Sequence, residues 1–222
     1  MDKLNLNISR FVELRENHKD IDLGKLKETT QSIYHFIQYT HYHYHMIEKS
    51  TSFKNLRDDR LFQVTREGEN VQLRFVYEAN IVAFLNSLHS LLDSFPYLLN
   101  LFMPELRPES TDIKWNIKFI KKYEKYSFYN ELIAFMFDET FNKVKGYVNT
   151  VKHKHLVQVA NTIDNLEFIY FSYKQPFYDD EGKIKYKSVD VNRANVRQFI
   201  EDGHDKLIKK FFSLCKSVLA AN

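Results

Sequence analysis

The residues from Asn80 to Met103 show the strongest helical pattern of apolar positions in the chain. The large apolar side chains recur at alternating steps of four and three, which places them on one face of a helix. They are Ile81, Leu85, Leu88, Leu92, Phe95, Leu99 and Phe102. A helix this apolar is expected at the centre of the core. Pro96 lacks the N–H that would bond to the Leu92 carbonyl, so a kink is predicted there, and Pro104 and Pro108 predict the end of the helix.

Two further faces accompany this apolar face. One consists of small residues, which would let another helix come close: Ala83, Ser87, Ser90 and Ser94. The other is polar and consists of Asn86, His89, Asp93 and Asn100. An unpaired buried polar group costs about 1–3 kcal/mol. We therefore expect His89 and Asp93 to bond to each other, to a neighbouring helix or to a ligand.

Other segments predict the elements around this helix. A helix from about Leu23 to Lys49 would turn one set of residues inward: Leu26, Ile33, Ile37, Thr40, Tyr44 and Ile47. Alternating apolar residues around Gly68 and Asn70 predict a hairpin at about residues 61–76, and a second hairpin is predicted at 166–189. Further helices are predicted from Ser127 to about Gly146 and from about Asp190 to Ala220.

The predicted fold is mainly α. It is an up-and-down helical bundle of four to five core helices, with one or two short β-hairpin insertions, in a single domain spanning residues 1–222. The chain has 44% hydrophobic residues, which is ample for a core. Its net charge is only +3, so any attraction for nucleic acid must be local. A lone cysteine, Cys215, and no apolar N-terminal run predict a cytoplasmic protein. Polar residues within the central helix argue against a membrane span.

The stretch from Asn142 to His155 has the most unusual composition. It contains no acid and six lysine and histidine side chains: Lys143, Lys145, Lys152, His153, Lys154 and His155. A local positive patch that includes a histidine suits a phosphate group. The alternative interpretation is a solvated basic helix end, where cations relieve the helix dipole.

Two stretches of this chain resemble the HEPN superfamily of prokaryotic helical bundles. They are A-F-L-N-S-L-H-S-L-L-D (residues 83–93) and V-N-T-V-K-H-K-H (residues 148–155), and the likeness covers roughly residues 23–220. The family motif is an Arg, a polar residue and a His. Here Asn149 and His153 take the last two positions and Val148 takes the Arg position. Valine cannot hold a phosphate as an arginine does, so Lys145 or Lys152 would have to replace it.

The resemblance implies a homodimer that binds RNA or a nucleotide. As a metal-independent endoribonuclease without a cofactor, it would use the 2′-hydroxyl of the RNA itself, with His153 as general acid or base and with Asn149 and Lys152 steadying the phosphate. Four further residues would contribute to binding: Lys145, His155, His89 and Asp93. The alternative is a non-catalytic dimer that serves as an interaction or regulatory module for a protein partner encoded by a neighbouring gene.

Two other sets of residues offer competing sites. Arg197 and His204 have the spacing of the HEPN motif, although Glu201, Asp202 and Asp205 surround them. His41, His43 and His45 alternate with tyrosines. His41 and His45 could bind zinc with a third ligand, or the three could form an aromatic face that is packed or lies at a dimer surface. A helical metalloprotein remains a third interpretation, without the paired Glu-x-x-His signature of di-iron bundles.

Overall fold

The computed structural model describes residues 8–18, 21–50, 69–161 and 166–221. The chain is mainly helical, as predicted, and carries a small antiparallel sheet. The helices are α1 (Ser9–Glu13), α2 (Leu23–Ser50), α3 (Glu69–Asp93), α4 (Phe95–Phe102), α5 (Ile117–Ile120), α6 (Tyr129–Phe137), α7 (Glu139–His153), α8 (Val196–Glu201) and α9 (Ile208–Ala220). The strands β1 (Val159–Asn161), β2 (Leu166–Tyr178) and β3 (Ile184–Asn195) form a sheet in the order β1-β2-β3.

Helices α3 and α4 carry the predicted central apolar face, and all seven of its residues are buried. The rod breaks at Ser94, and Pro96 occupies the first turn of α4, as its missing N–H predicts. The Leu92 carbonyl that Pro96 cannot reach accepts a hydrogen bond from the indole Nε1 of Trp115 at 2.8 Å. A side chain from outside the helix therefore satisfies the acceptor that proline leaves open.

Replacing Trp115 by phenylalanine is expected to destabilise the protein by about 1–3 kcal/mol, because the Leu92 carbonyl would be buried without a partner. Adding Pro96→Ala restores a backbone N–H in reach of that carbonyl. The double variant should therefore lose less stability than the sum of the two single changes. Urea unfolding of all four proteins measures this coupling, and strict additivity would argue against the proposed exchange of partners.

The prediction of a hairpin at residues 61–76 is wrong for residues 69–76, the part that the structure describes. Residues 69–76 form the beginning of α3, and residues 61–68 lie outside the described ranges. A short alternation of apolar and polar residues is ambiguous between strand and helix, and here the segment continues directly into the apolar helix.

Two other predicted boundaries shift because of side-chain caps. The helix expected to run from Ser127 to Gly146 ends instead at Phe137, and the Asp138 side chain then accepts from the Phe141 N–H to begin α7. The last helix begins at Val196 rather than near Asp190, because the Asn195 side chain accepts from the Gln198 N–H. Both residues are favourable N-caps. A π-helical turn, Asp202–Leu207, separates α8 from α9.

The structure contains the second predicted hairpin and extends it to Asn195, with Lys174 paired to Ser188 and Pro176 to Tyr186. Helix α7 packs directly on β2 at Gly146. A Cβ atom placed on Gly146 would lie 2.4 Å from the Tyr173 Cβ and 2.7 Å from the Ser172 carbonyl oxygen. Glycine therefore sets the distance between helix and sheet. Within the described ranges, none of the helices combines the length and apolar character needed to cross a bilayer.

Candidate functional site

A cavity of about 720 Å³ lies between α7 and the β2–β3 hairpin. Its apolar wall includes Trp115, Met136 and Phe141, which belong to the core, and Tyr186, which is 49% exposed. Trp115 stacks on Phe95 and on Phe135 with ring centroids 5.6 and 5.0 Å apart. These stacked rings fix the shape of the wall, and the volume falls within the range of small-molecule sites.

Helix α7 contributes the polar residues of one wall. Lys145, Asn149 and His153 all line the cavity, and their spacing of four residues places them one above another on the helix face. Thr150 lines it too, but its hydroxyl donates to the Gly146 carbonyl at 3.0 Å. Asn142 also lines the cavity, but its amide nitrogen donates to the Met136 and Asp138 carbonyls. Lys145, Asn149 and His153 are thus the groups within α7 that are left to meet a ligand.

The opposite wall comes from the sheet. Ser172 and Lys174 of β2 and Tyr186 and Ser188 of β3 line the cavity. The pairing of Lys174 with Ser188 places these polar groups side by side. Lys174 is exposed and faces the same space as the α7 lysine. Two elements distant in sequence therefore place cations around one cavity.

The lining is positively charged. Lys145, Lys154 and Lys174 contribute to it, and the residues that line the cavity within the described ranges include no Asp or Glu. The nearby carboxylate of Glu139 accepts a charged hydrogen bond from Lys143 at 2.7 Å, and it accepts one from the Tyr173 hydroxyl at 3.3 Å. A ligand in the cavity would meet lysine cations without a competing carboxylate on the wall.

His89 of α3 is buried, with 7% exposure, and α3 packs against α7. Its Nε2 atom has no hydrogen-bond partner among the described residues. Burial lowers the pKa of His89 to about 4; Asp93 opposes that shift, while the positive charges of Lys152 and Lys145 add to it. His89 is therefore a neutral imidazole at physiological pH.

The structure divides the residues singled out from the sequence into two groups. Lys145, Asn149 and His153 line the cavity described above. Lys152, His89, Asp93 and His155 are not part of its lining; Asp93 is exposed, and His155 lines a separate, largely apolar cavity of about 890 Å³ between α3 and residues 155–159. His89 and Asp93, which the resemblance implies as binding residues, therefore do not line the cavity that His153 lines.

Val148, at the position of the missing motif arginine, is buried with 1% exposure. This position faces the core rather than the cavity, so the lysines are the cations available to a ligand there. The sequence reasoning did not single out Lys174, Tyr186 or Ser188. No local sequence pattern identifies these three residues as part of the site, because their position depends on which face of the hairpin packs on α7.

The rival pair of Arg197 and His204 is engaged in other contacts. Arg197 Nε donates to Glu201 at 2.7 Å. His204 Nδ1 lies 2.8 Å from an Asp205 carboxylate oxygen, and its Nε2 lies 2.9 Å from Nδ1 of His41. The His204 ring also stacks on Tyr44 with centroids 3.8 Å apart. These contacts join the π-helical turn to α2.

The three alternating histidines of α2 have different partners. His41 contacts His204, His43 Nδ1 lies 2.9 Å from the Asn80 amide oxygen, and His45 lies 3.2 Å from the Glu48 carboxylate. Burial lowers the pKa of His41, and electrostatic interactions with His204 and His45 lower it further. Over the described part of the chain, no group of three or more His, Cys, Asp or Glu side chains is arranged to hold a metal ion.

Comparison of the chain with protein-family models, with curated proteins and with solved structures found no match.

Proposed function

We propose that the cavity between α7 and the β2–β3 hairpin binds RNA or a nucleotide. The observation that carries this proposal is the lining itself: three lysines from two separate elements, a histidine, exposed Asn149 and the aromatic ring of Tyr186, with no acid among them. Phosphate oxygens accept hydrogen bonds from lysine and asparagine side chains. An exposed tyrosine ring offers a surface on which a base can stack.

The alternative interpretation is that the end of α7 is basic only because cations relieve the helix dipole. This interpretation accounts for part of the positive charge of the cavity. It covers Lys152, His153 and Lys154 in the last turn of α7 and at its C-cap. It does not account for Lys174, which comes from the middle of β2 and faces the same cavity. A ligand with negative charge accounts for both.

Binding of a short fluorescein-labelled single-stranded RNA, followed by anisotropy, should weaken steeply as salt increases. Three lysine–phosphate contacts predict a loss of affinity of roughly 15- to 20-fold between 50 and 200 mM salt. Lys174→Gln should weaken binding and make the salt dependence shallower by about one contact, or about 0.7 in the logarithmic slope. Lys145→Gln should behave in the same way.

Lys216→Gln is the matched control, because Lys216 is exposed on α9 and is not part of the cavity lining. It should leave both the affinity and the salt slope unchanged. An affinity that does not vary with salt, or equal losses in all three variants, would contradict binding at this cavity. A mononucleotide competitor distinguishes a nucleotide site from one that requires a polymer.

Cleavage of the bound RNA is a second candidate function, favoured by the placement of His153 and Asn149 on the same wall of the cavity as Lys145. In this mechanism the imidazole of His153 moves a proton to or from the reacting 2′-hydroxyl or the leaving oxygen. Asn149 and Lys145 hold the phosphate. Lys145 takes the place that Lys152 was expected to fill, because Lys152 is not among the lining residues.

His153→Ala is expected to slow the cleavage of single-stranded RNA in EDTA while leaving anisotropy binding within a few-fold of the native protein. General acid–base catalysis typically contributes 10²- to 10⁴-fold, so the rate should fall by roughly that factor. His155→Ala is the control, since His155 lies outside this cavity. Equal cleavage by native protein and His153→Ala would eliminate the enzyme hypothesis. Binding without cleavage would leave the non-catalytic module.

The membership in the HEPN superfamily that the two sequence stretches suggest stays a prediction. So do the up-and-down arrangement of its core helices, the homodimer and the protein partner. The mainly helical structure is compatible with this family. The proposed binding site does not depend on membership in this family, because it is inferred from the charges and shape of the cavity.

A further inference from the structure

A second cavity, of about 890 Å³, lies between α3 and the segment that follows α7. Its lining is mostly apolar, and four of its side chains belong to the buried core: Ile81, Tyr147, Val157 and Val159. The volume falls within the range of small-molecule sites. Tyr147 lines this apolar cavity, whereas Gly146 and Asn149 line the cavity between α7 and the hairpin. The two cavities therefore lie on different sides of α7.

The walls of the apolar cavity are held in place by their neighbours. The Tyr147 ring packs on Phe168 and Phe171 of β2, with ring centroids 5.0 and 5.8 Å apart. Helix α3 contributes the small side chains of Ala79 and Ala83 to the lining. A methyl group leaves open the space that a larger side chain would fill, so the cavity exists before a ligand arrives. A preformed site loses less entropy on binding.

One polar atom in the wall of the apolar cavity has no partner. Asn86 of α3 lines the cavity, and its Oδ1 atom is buried and accepts no hydrogen bond from any of the described residues. A buried acceptor without a donor is unfavourable. A ligand that places an O–H or N–H group against Asn86 would remove this cost. The cavity therefore has one position at which a hydrogen-bond donor is favoured.

Leu156 lines the apolar cavity and is 66% exposed. With Ile169 and Tyr170 of β2, which are 41% and 45% exposed, it also lines an adjoining cavity of about 360 Å³. A group of exposed apolar side chains is typical of a binding site. An apolar ligand that extends from the larger cavity towards these side chains would cover them.

The charges of the lining select against an anionic ligand. Among the described residues that line the apolar cavity there is no lysine or arginine, and there is one acid, Glu78. The histidine of the lining, His155, is exposed. A phosphate or carboxylate group would have to leave water without a lysine or arginine to meet it. The lining thus differs from that of the cavity between α7 and the hairpin, which has three lysines and no acid.

We propose that the apolar cavity binds an uncharged, mostly apolar small molecule that carries a hydroxyl or N–H group. The apolar part of this molecule lies against Tyr147, Val157 and the exposed Leu156, and its polar group donates a hydrogen bond to Asn86 Oδ1. The site is separate from the one proposed for RNA or a nucleotide, so neither depends on the other.

Binding of N-phenylnaphthylamine tests this cavity, because this uncharged aromatic amine has a single N–H and fluoresces strongly only out of water. Its fluorescence should rise on mixing with the native protein. Leu156→Ser should weaken binding by about 5-fold, because the probe no longer covers a leucine side chain. Leu156 is exposed, so circular dichroism should show an unchanged fold. Tyr34→Ser is the control, because Tyr34 is 55% exposed on α2 and does not line the cavity.

Displacement of the bound probe by small competitors defines the chemistry of the ligand. Decanol should displace it, whereas decyl methyl ether, which has no donor, should bind more weakly by roughly 2- to 12-fold, the contribution of one hydrogen bond. Decanoate should bind at least about tenfold more weakly than decanol, because its carboxylate would have no cationic partner. In Asn86→Leu the difference between the alcohol and the ether should disappear.

A native protein that leaves the fluorescence of the probe unchanged would overturn the proposal. So would equal losses of affinity in Leu156→Ser and Tyr34→Ser, decanoate that binds as tightly as decanol, or a preference for the alcohol over the ether that is absent from the native protein or kept in Asn86→Leu. Lys174→Gln should bind the probe like the native protein, because Lys174 lines the other cavity. This comparison separates the result from the proposed function.

Discussion

Replacing Gly146 by alanine is expected to destabilise the protein by about 3 kcal/mol or more, at the upper end of what overpacking costs. The added Cβ would lie 2.4 Å from the Tyr173 Cβ and 2.9 Å from the Tyr173 Cα. Neither atom can swing aside as the end of a long side chain can. Strand β2 is also the central strand, paired on both sides with β1 and β3. Relief therefore requires the whole of α7 to move away from the sheet.

Urea unfolding measures this loss, and Gly24→Ala provides the control. Gly24 lies at the beginning of α2, and the nearest atom to its added Cβ is an Asp22 carboxylate oxygen at 3.4 Å. Alanine there should be neutral or stabilising by up to about 1 kcal/mol, because it favours the helix. Gly146→Ala offers the same gain in helix propensity and should still be strongly destabilised. Equal stabilities of the two variants would contradict a rigid contact between α7 and β2.

Gly146→Ala should also weaken the proposed RNA binding, even where the protein stays folded. Gly146 lines the cavity between the two walls, so a helix displaced from β2 would separate Lys145 on α7 from Lys174 on the sheet. The loss of affinity should be measured without urea, at a low temperature at which circular dichroism shows that the variant is folded. Unchanged affinity would indicate that the two walls do not act on one ligand.

The elements that the sequence predicts best are those with long periodic patterns. The inward residues expected on α2 are all buried except Tyr44, which is partly buried and packs near Phe84 with ring centroids 6.1 Å apart. The apolar face of α3 and α4 is buried throughout. In both helices many residues repeat the same period, so one exception does not change the pattern.

Boundaries set by a single side chain were less predictable. Asp138 divides the expected helix between Ser127 and Gly146 into two, and Asn195 begins the last helix later than its apolar residues indicate. The sequence predicts a helix end at Gly146, since glycine often follows a helix. Its actual position, at the contact with β2, depends on a strand distant in sequence, which no local pattern reports.

The candidate site combines both kinds of information. The basic composition of residues 142–155 pointed to Lys145, Asn149 and His153, because one helix presents all three on one face. Lys174 and Tyr186 join them only through the packing of the hairpin on α7. His155 does not line that cavity because it follows the end of α7. Its backbone N–H bonds to the Thr150 carbonyl at 3.2 Å.

His89 should make the protein less stable as pH falls from about 6.5 towards 4. Its pKa is about 4 in the folded protein, mainly because of burial, against an ordinary value of 6.5. The unfolded chain therefore takes up a proton on this histidine at a pH where the folded chain does not. The contribution of neutral His89 to the free energy of unfolding is fully present above pH 6.5, and it is lost as the pH falls from 6.5 towards 4. The difference between the two pKa values corresponds to roughly 3 kcal/mol at pH 4.

His89→Leu should remove most of this pH dependence and should raise stability at pH 5, because it also removes the buried Nε2 atom that lacks a partner. Urea unfolding at several pH values measures both effects. Part of the slope should remain in the variant, since the pKa of His41 is lowered as well. His18→Gln is the control, because His18 is exposed and its replacement should leave the slope intact. If the free energy of unfolding of His89→Leu kept the native dependence on pH, the imidazole would have to be solvated or paired in the folded protein. A buried, unpaired imidazole binds a proton much less readily in the folded chain than in the unfolded chain.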